Sequence, residues 1–344
     1  MPTLLLPTTP DNIARAAEIL QNGGLVAFPT ETVYGLGANA LDAGAVARIF
    51  VAKERPSSDP LIVHLSGLDQ LPRVARSASP AAQTLAAAFW PGPLTLVLPK
   101  QPHVPALVTA GLDTAAVRVP DHPVALALLA AAGVPIAAPS ANRFGHTSPT
   151  TAQHVWHDLH DRIDLILDGG PTPLGVESTV LDASVSPARI LRPGGVTAEM
   201  LEAVIGPVVV LRRDFAGDQG LPSPGLLETH YAPRAELIFC QGPGAAQALA
   251  AELGAALAAG RRVGVLALDE DADELALAGA VVYRLGADLS SVARHLYAGM
   301  RWLDAQGVDV ILCRDFGAGG LGLAIRDRLT RAAARLVGAE ETRL

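Results

Sequence analysis

The side chains able to do chemistry fall in short polar segments, each placed where an apolar run ends. Thr30, Glu31, Thr32 and Tyr34 follow the apolar residues 25–28 and Pro29 in the stretch LVAFPTETVYGLG, residues 25–37. An apolar run stopped by proline reads as a buried strand opening into a loop. Loops at the carboxyl ends of strands are where open α/β sheets bind small molecules. Gly35 and Gly37 come next and let backbone approach a ligand closely; the competing reading is a polar turn that caps the following helix. The segment PIAAPSAN, residues 135–142, repeats this design and ends in Ser140 and Asn142. Arg118 lies within the apolar strand expected over 115–119, so it must be buried or pointed into a cleft, and a buried arginine needs an anionic partner.

Two further cations, Lys53 and Arg55, stand in KERP at the end of a helix expected over 43–53. In that position they complement the helix dipole while Pro56 stops the chain, which asks for no ligand. His64, within the strand PLIVHL at 60–65, suits a hydrogen-bonded core residue better than a catalyst. Ser148 and Thr150 precede another helix, and either could cap it. His154, His157 and His160 recur every third residue on that helix. Their positions drift around its surface and no carboxylate matches them, so no metal site is expected.

The elements that must position these residues alternate along the chain. Asp11 reads as the N-cap of a first helix closed by Gly23 and Gly24. Asp42 caps the helix over 43–53, with Val46, Ile49 and Phe50 on its buried face. Ser79 and Pro80 open a helix that runs to Trp90, proline being tolerated at the first position. Strands follow at 94–98 and 163–167, residues 175–182 and 188–195 read as an antiparallel pair, and Thr197 caps a last helix to Ile205.

The chain has 344 residues, 50% of them hydrophobic, enough to bury a large core in two domains. Its positive mean hydropathy of +0.32 comes mostly from alanine. The longest weakly polar run, 124–139, contains Gly133 and Pro135 and is too short to span a bilayer. The start, MPTLLLPTTP, lacks the basic flank and apolar length of a secretory signal. Cys240 and Cys313 make neither a metal-ligand spacing nor a disulfide framework, so a reducing cytoplasm is expected. A net charge of −8 argues against a broad nucleic-acid surface while allowing a local basic cleft.

Taken in order, PTETVYGLG, KERP, PLIVHL, WPGPLT, VRVP, PSAN, EST and LRPG resemble the YrdC-like family. SPGLLETHYAP at 223–233, followed by a second α/β unit, is similar to the long, two-domain form of that family. The resemblance implies an α/β fold: a YrdC-like catalytic domain at 1–206 with a twisted open mixed sheet and helices, a linker or lid over the active site at 207–234, and a smaller Rossmann-like α/β sandwich at 235–344. It implies a nucleotidyltransferase that condenses L-threonine, bicarbonate or carbon dioxide, and ATP into L-threonylcarbamoyladenylate and pyrophosphate. Mg2+ would accompany ATP, and the product would pass to a threonylcarbamoyl transferase that modifies the tRNA adenosine beside the anticodon. Negative charge is crowded throughout such chemistry, so fixed cations should be the main catalytic device.

The same resemblance implies roles for individual residues. Lys53 and Arg55 match a K-x-R signature and would face the nucleotide phosphates as the catalytic cations, with Ser140 and Asn142 as an S-x-N partner. Thr114, Ser148 and Arg192 would fall on the ATP side, and Tyr231 would reach over the nucleotide from the linker. Thr32 and His64 would hold threonine, Arg118 would take its carboxylate in a two-pronged contact, and Ser178 and the backbone of Ala138 would line that pocket. Asp59 departs from the family, which commonly has asparagine before the Pro-Leu pair. A carboxylate there repels phosphates unless a metal intervenes.

From residue 235 the chain restarts, with strands expected at 237–240, 263–268, 281–285 and 308–312, helices at 244–259 and 289–303, and a final helix. Gly317, Gly319 and Gly322 match a dinucleotide fingerprint, but that motif needs a following strand, and the expectation is that the chain ends before one forms. A nicotinamide enzyme is therefore disfavoured. A carbamoyl-phosphate-using transferase lacks its accompanying segments. The main alternative of another class is a non-catalytic RNA-binding or ribosome-maturation module, against which the acidity and the lack of an aromatic stacking motif weigh.

Overall fold

In the computed structural model, which describes residues 2–211 and 231–338, the apolar runs become strands and the capped segments become helices. The described residues form two units: 2–144, 148–173 and 177–211 make the first, and 145–147, 174–176 and 231–338 the second. Most of the linker expected at 207–234 lies outside the described residues.

The first unit runs β1 (Leu4–Pro7), α1 (Pro10–Gln21), β2 (Val26–Phe28), β3 (Gly35–Asn39), α2 (Ala43–Lys53), β4 (Ile62–His64), α3 (Pro80–Phe89), β5 (Leu94–Pro99) and β6 (Thr114–Arg118). It continues through α4 (Pro123–Ala132), β7 (Ile136–Ala137), α5 (Ala152–Leu159), β8 (Leu165–Asp168), β9 (Thr179–Asp182), β10 (Arg189–Arg192), α6 (Ala198–Ile205) and β11 (Val209–Val210). All eleven strands join one mixed sheet in the order β1-β8-β2-β3-β7-β4-β6-β5-β9-β10-β11. The antiparallel pair expected near its end is β9 and β10.

Helix starts follow the expected side-chain chemistry, with two corrections. Asp42 accepts from the backbone N–H groups of Gly44 and Ala45, Ser79 from Ala82, and Thr197 from Met200. The first helix, however, is capped by Thr9 and not Asp11, because Pro10 takes its first turn and the Thr9 hydroxyl then meets the N–H of Asn12. The helix after Ser148 and Thr150 is capped by neither; Thr151 accepts from the N–H of His154. A third correction concerns Gly35 and Gly37, which lie in β3, antiparallel to β2, and not in the loop. A Cβ on Gly37 would stand 2.8 Å from Ile136 and 2.9 Å from Phe28, so this glycine serves strand packing and not ligand approach.

Strand alternation divides the sheet's two faces. Val63, Leu94, Leu96, Ala115, Val117, Leu181 and Ile190 join one large core, which α2, α3, α5 and α6 cover. On the other face, α1 and α4 pack over Val26, Phe28, Ile136 and Leu165 at the β8 end of the sheet. Farther along that face Ile62, Val97, Ala116, Val180 and Leu191 form a small apolar floor to which no described helix contributes.

The second unit comprises β12 (Glu236–Cys240), α7 (Ala245–Ala258), β13 (Val263–Ala267), α8 (Asp269–Leu277), β14 (Val281–Arg284), α9 (Leu289–Ala305), β15 (Val310–Arg314), α10 (Leu321–Ala332) and β16 (Arg335–Val337). Its sheet is parallel, in the order β14-β13-β15-β12-β16. β16 overturns the expectation that the chain ends before another strand: three residues suffice for the pairing with β12. α8 was also unexpected, since its charged sequence DEDADELAL buries only Ala272 and so shows almost no apolar stripe. No described helix is long and apolar enough to cross a membrane.

Candidate active site

The helix-free face of the first sheet carries four of the expected site residues, His64, Thr114, Arg118 and Arg192, and the period of the strands explains why. With Ala115 and Val117 in the covered core, Thr114, Ala116 and Arg118 must point to the opposite face. With Val63 in that core, Ile62 and His64 do the same, as do Thr95 and Val97 on β5. A bulge in β10 shifts the register between Ile190 and Arg192, so that Leu191 joins the floor and Arg192 comes opposite Val180.

β4 and β6 run parallel, with Ile62 beside Ala116 and His64 beside Arg118. This register sorts the candidates into two groups. At the carboxyl ends stand His64 and Arg118. Thr114 stands at the amino end of β6, roughly 13 Å back along the strand from Arg118 at about 3.3 Å per residue. The segment that enters β4 at its amino end carries Arg55, Asp59 and Pro60.

At the amino ends, α2 closes on Glu54 in a left-handed conformation (φ 56°), which turns the chain between Lys53 and Arg55. The carboxylate of Glu54 points outward to Arg143 and Arg162. Lys53 is fully buried, and its ammonium donates to the backbone carbonyls of Ser140 and Asn142, both at 2.5 Å. Burial, with the charge of Arg55 adding to it, holds Lys53 well below the usual lysine range, against the opposing pull of Asp158 and Asp59. Arg55 pairs with Asp59 at 2.8 Å and donates to the Pro60 carbonyl at 2.9 Å. The K-x-R and S-x-N segments are thus tied together, and the Asp59 carboxylate, which departs from the family pattern, has a buried arginine as its counter-ion.

At the carboxyl ends, the guanidinium of Arg118 donates to the Thr32 hydroxyl at 3.0 Å and to the Gly92 carbonyl at 3.2 Å, and pairs with Glu31 at 2.5 Å. His64 packs edge-on to Phe28, with its Nδ1 3.3 Å from the Ile62 carbonyl. Burial, and then the charge of Arg118, pushes its pKa down to about 3, so the ring is neutral at physiological pH. Ser178 shares a 2.8 Å hydrogen bond with Thr95, and Arg192 donates to the Ser178 carbonyl at 3.0 Å. Ser148 donates to Glu177 at 2.5 Å. Ser148 and Arg192, expected on the nucleotide side, make these hydrogen bonds with the Glu177–Ser178 segment. Ala138 follows β7 and donates its N–H to the Ile62 carbonyl.

The turn 29–34 links these groups. Beyond Arg118, it receives the N–H of Ala141 at the Tyr34 carbonyl (2.8 Å) and gives the N–H of Tyr34 to Pro149 (2.9 Å). Tyr231 belongs to the second unit, where it is buried against Tyr297 and under Arg328. The sequence places Glu31 in the polar strand-end loop but names no partner for it, and it does not single out Thr95 or Glu177. The signal available was the need of Arg118 for an anion, with Glu31 already lying in a polar strand-end loop. On α5, His154 takes the N–H of Thr150 and His160 stacks on Trp156.

A family model for Sua5, YciO and YrdC proteins, described as telomere recombination, matches residues 18–194, and a model described as the C-terminal domain of threonylcarbamoyl-AMP synthase matches residues 196–334. The chain is 49% identical to the threonylcarbamoyl-AMP synthase of Bacillus subtilis, over 95% of this chain and 94% of that one. It is 47% identical to the Pyrococcus abyssi enzyme of the same name, over 92% of each. The crystal structure of P. abyssi Sua5 complexed with L-threonine superimposes with a TM-score of 0.90 at 43% identity, covering 98% of this chain and 99% of that one.

The neutral His64 makes a test in solution. The unfolded chain takes up a proton near pH 6.5 and the folded ring only near 3, so between these values the unfolded state binds more protons and stability rises with pH. The contribution is complete above pH 6.5 and declines as pH falls below it. Denaturant unfolding between pH 6.5 and 5 should show a steeper loss in the wild type than in His64→Gln, by up to about 1.4 kcal/mol per pH unit. Equal slopes would contradict the buried neutral ring.

Proposed function

The chain belongs to the Sua5/YciO/YrdC family in the form that carries a C-terminal domain, and on that premise we propose that it is an L-threonylcarbamoyladenylate synthase. Its substrates are L-threonine, bicarbonate or carbon dioxide, and ATP; the adenylyl transfer makes it a nucleotidyltransferase. The observation that carries this reading is the register of β4 and β6. Two adjacent strands present His64 and Arg118 at one end of a helix-free face, and at the other end Thr114 and the segment holding Arg55 and Asp59. That span suits an amino acid joined end to end with a nucleotide.

Arg118 supplies the guanidinium for the amino acid's carboxylate, with Thr32, His64, Ser178 and the Ala138 backbone around it. The amine, once deprotonated, takes up carbon dioxide to become a carbamate. A carbamate oxygen then attacks the α-phosphorus of ATP, a P–O bond forms, and the bond to pyrophosphate breaks. Charge builds on the phosphates as this happens, and Arg55 is fixed in advance to meet it. Lys53 contributes by holding the S-x-N loop against the helix end, and Ser148, Thr114, Asn142 and Arg192 complete the nucleotide side.

Among the described residues, no group of three histidine, cysteine or carboxylate side chains could hold a metal ion. Asp59 is engaged with Arg55. Magnesium would arrive on the ATP phosphates, as part of the substrate. The product, an activated carbamate, would serve a transferase that modifies tRNA in the cytoplasm.

The test is pyrophosphate release from the purified chain. It should require ATP, bicarbonate and L-threonine together; release that ignores threonine, or none with all three present, would contradict the proposal. In the same assay Asp59→Asn should retain activity, because the side-chain carbonyl can still accept from Arg55. Total loss would show that the carboxylate has a role of its own.

A further inference from the structure

Arg118 has no vacant edge for a substrate. A carboxylate that binds a guanidinium through both oxygens uses either the Nε and Nη2 pair or the Nη1 and Nη2 pair, so both modes need Nη2. Here Nη2 is 2.5 Å from the Glu31 carboxylate, an ion pair without hydrogen-bond geometry, while Nη1 is given to Thr32 and Nε to Gly92. Glu31 therefore sits where a substrate carboxylate would have to sit. It is 7% exposed, and apart from this ion pair neither of its oxygens meets a hydrogen-bond donor. An ionisable neighbour of Glu31 beyond Arg118 is His122, whose pKa burial lowers against the opposing charges of Glu31 and Asp121 and whose Nδ1 accepts the N–H of Val124.

The charge balance then decides what can displace Glu31. The Arg118–Glu31 pair is neutral. A simple carboxylate that took Arg118 would leave Glu31 as a buried anion with no partner, which is costly. An α-amino acid brings its own cation: its carboxylate goes to Arg118, its ammonium to Glu31, and all four charges are paired. Resting on the reading of Arg118 as the threonine-carboxylate site, we propose that Glu31 is a specificity-determining residue that stands in for the substrate carboxylate in the free protein and, on binding, exchanges Arg118 for the amino acid's ammonium. The site thereby admits α-amino acids and rejects other small carboxylates before any nucleotide chemistry begins.

The experiment measures binding of L-threonine and of D-β-hydroxybutyrate, the same skeleton without the amine, to the full-length protein by calorimetry. The wild type should prefer threonine strongly. In Glu31→Gln that preference should shrink by about tenfold or more, the deamino acid gaining affinity because Arg118 is no longer occupied by an anion and threonine losing its ammonium partner. An unchanged preference, with threonine still bound, would overturn this inference alone. Failure of threonine to bind the wild type would overturn the reading of the site, and this inference with it. Should Glu31→Gln not fold, crystals of the wild type soaked with L-threonine decide the matter. The Glu31 carboxylate should leave Nη2 of Arg118 for the amine nitrogen, and a Glu31 that stays on Arg118 would overturn the exchange.

Discussion

Buried positive charge is the constraint around which the first unit is arranged. Lys53, Arg55, Arg118 and Arg192 are each at most 8% exposed. Desolvating one such group costs several kcal/mol unless it is met by an anion or by well-aimed carbonyls. Each is met by a different stretch of chain: Lys53 by the carbonyls of Ser140 and Asn142, Arg55 by Asp59 and Pro60, Arg118 by Glu31, Thr32 and Gly92, and Arg192 by Ser178. These contacts lock together loops that lie far apart in sequence. The cations are therefore oriented before any anionic ligand arrives, which is the condition under which fixed charge stabilises a transition state most effectively.

Backbone geometry makes those contacts reachable. The left-handed residue Glu54 breaks α2 between Lys53 and Arg55, and the bulge in β10 brings Arg192 opposite Val180. Gly194 packs so closely that a Cβ there would stand 2.3 Å from the backbone nitrogen of Thr179 and 2.4 Å from the Glu177 carbonyl. Only glycine lets the segment after Arg192 lie against the turn that carries Ser178. Four helices cover one face of the sheet, while on part of the other face the buried floor of Ile62, Val97, Ala116, Val180 and Leu191 takes nothing from any described helix.

Much of this was legible in the sequence because it rests on local rules. Asp42, Ser79 and Thr197 cap helices as their positions predict, and the strands that carry His64, Arg118 and Arg192 lie where apolar runs and turn residues place them. Pairing across distance was not legible. Nothing in PTET says that Glu31 meets an arginine 87 positions later, and nothing in the strand expected over 175–182 says that its Glu177 meets Ser148. Gly35 and Gly37 beside a polar loop suggest close approach to a ligand, whereas in β3 Gly37 is required by the side chains of Ile136 and Phe28 packed against it. β16 is not legible because three residues give no periodicity to detect.

The central claim is that the helix-free face around Ile62, Ala116 and Val180 receives an amino acid at the carboxyl ends of β4 and β6 and a nucleotide at their amino ends. A crystal structure with L-threonine and a non-hydrolysable ATP analogue bound together tests it most directly. The account predicts the α-phosphate near Arg55, with the amino acid's own carboxylate on Arg118 and the two ligands end to end on that floor. Nucleotide bound on the helix-covered face, or solely within the second unit, would contradict it.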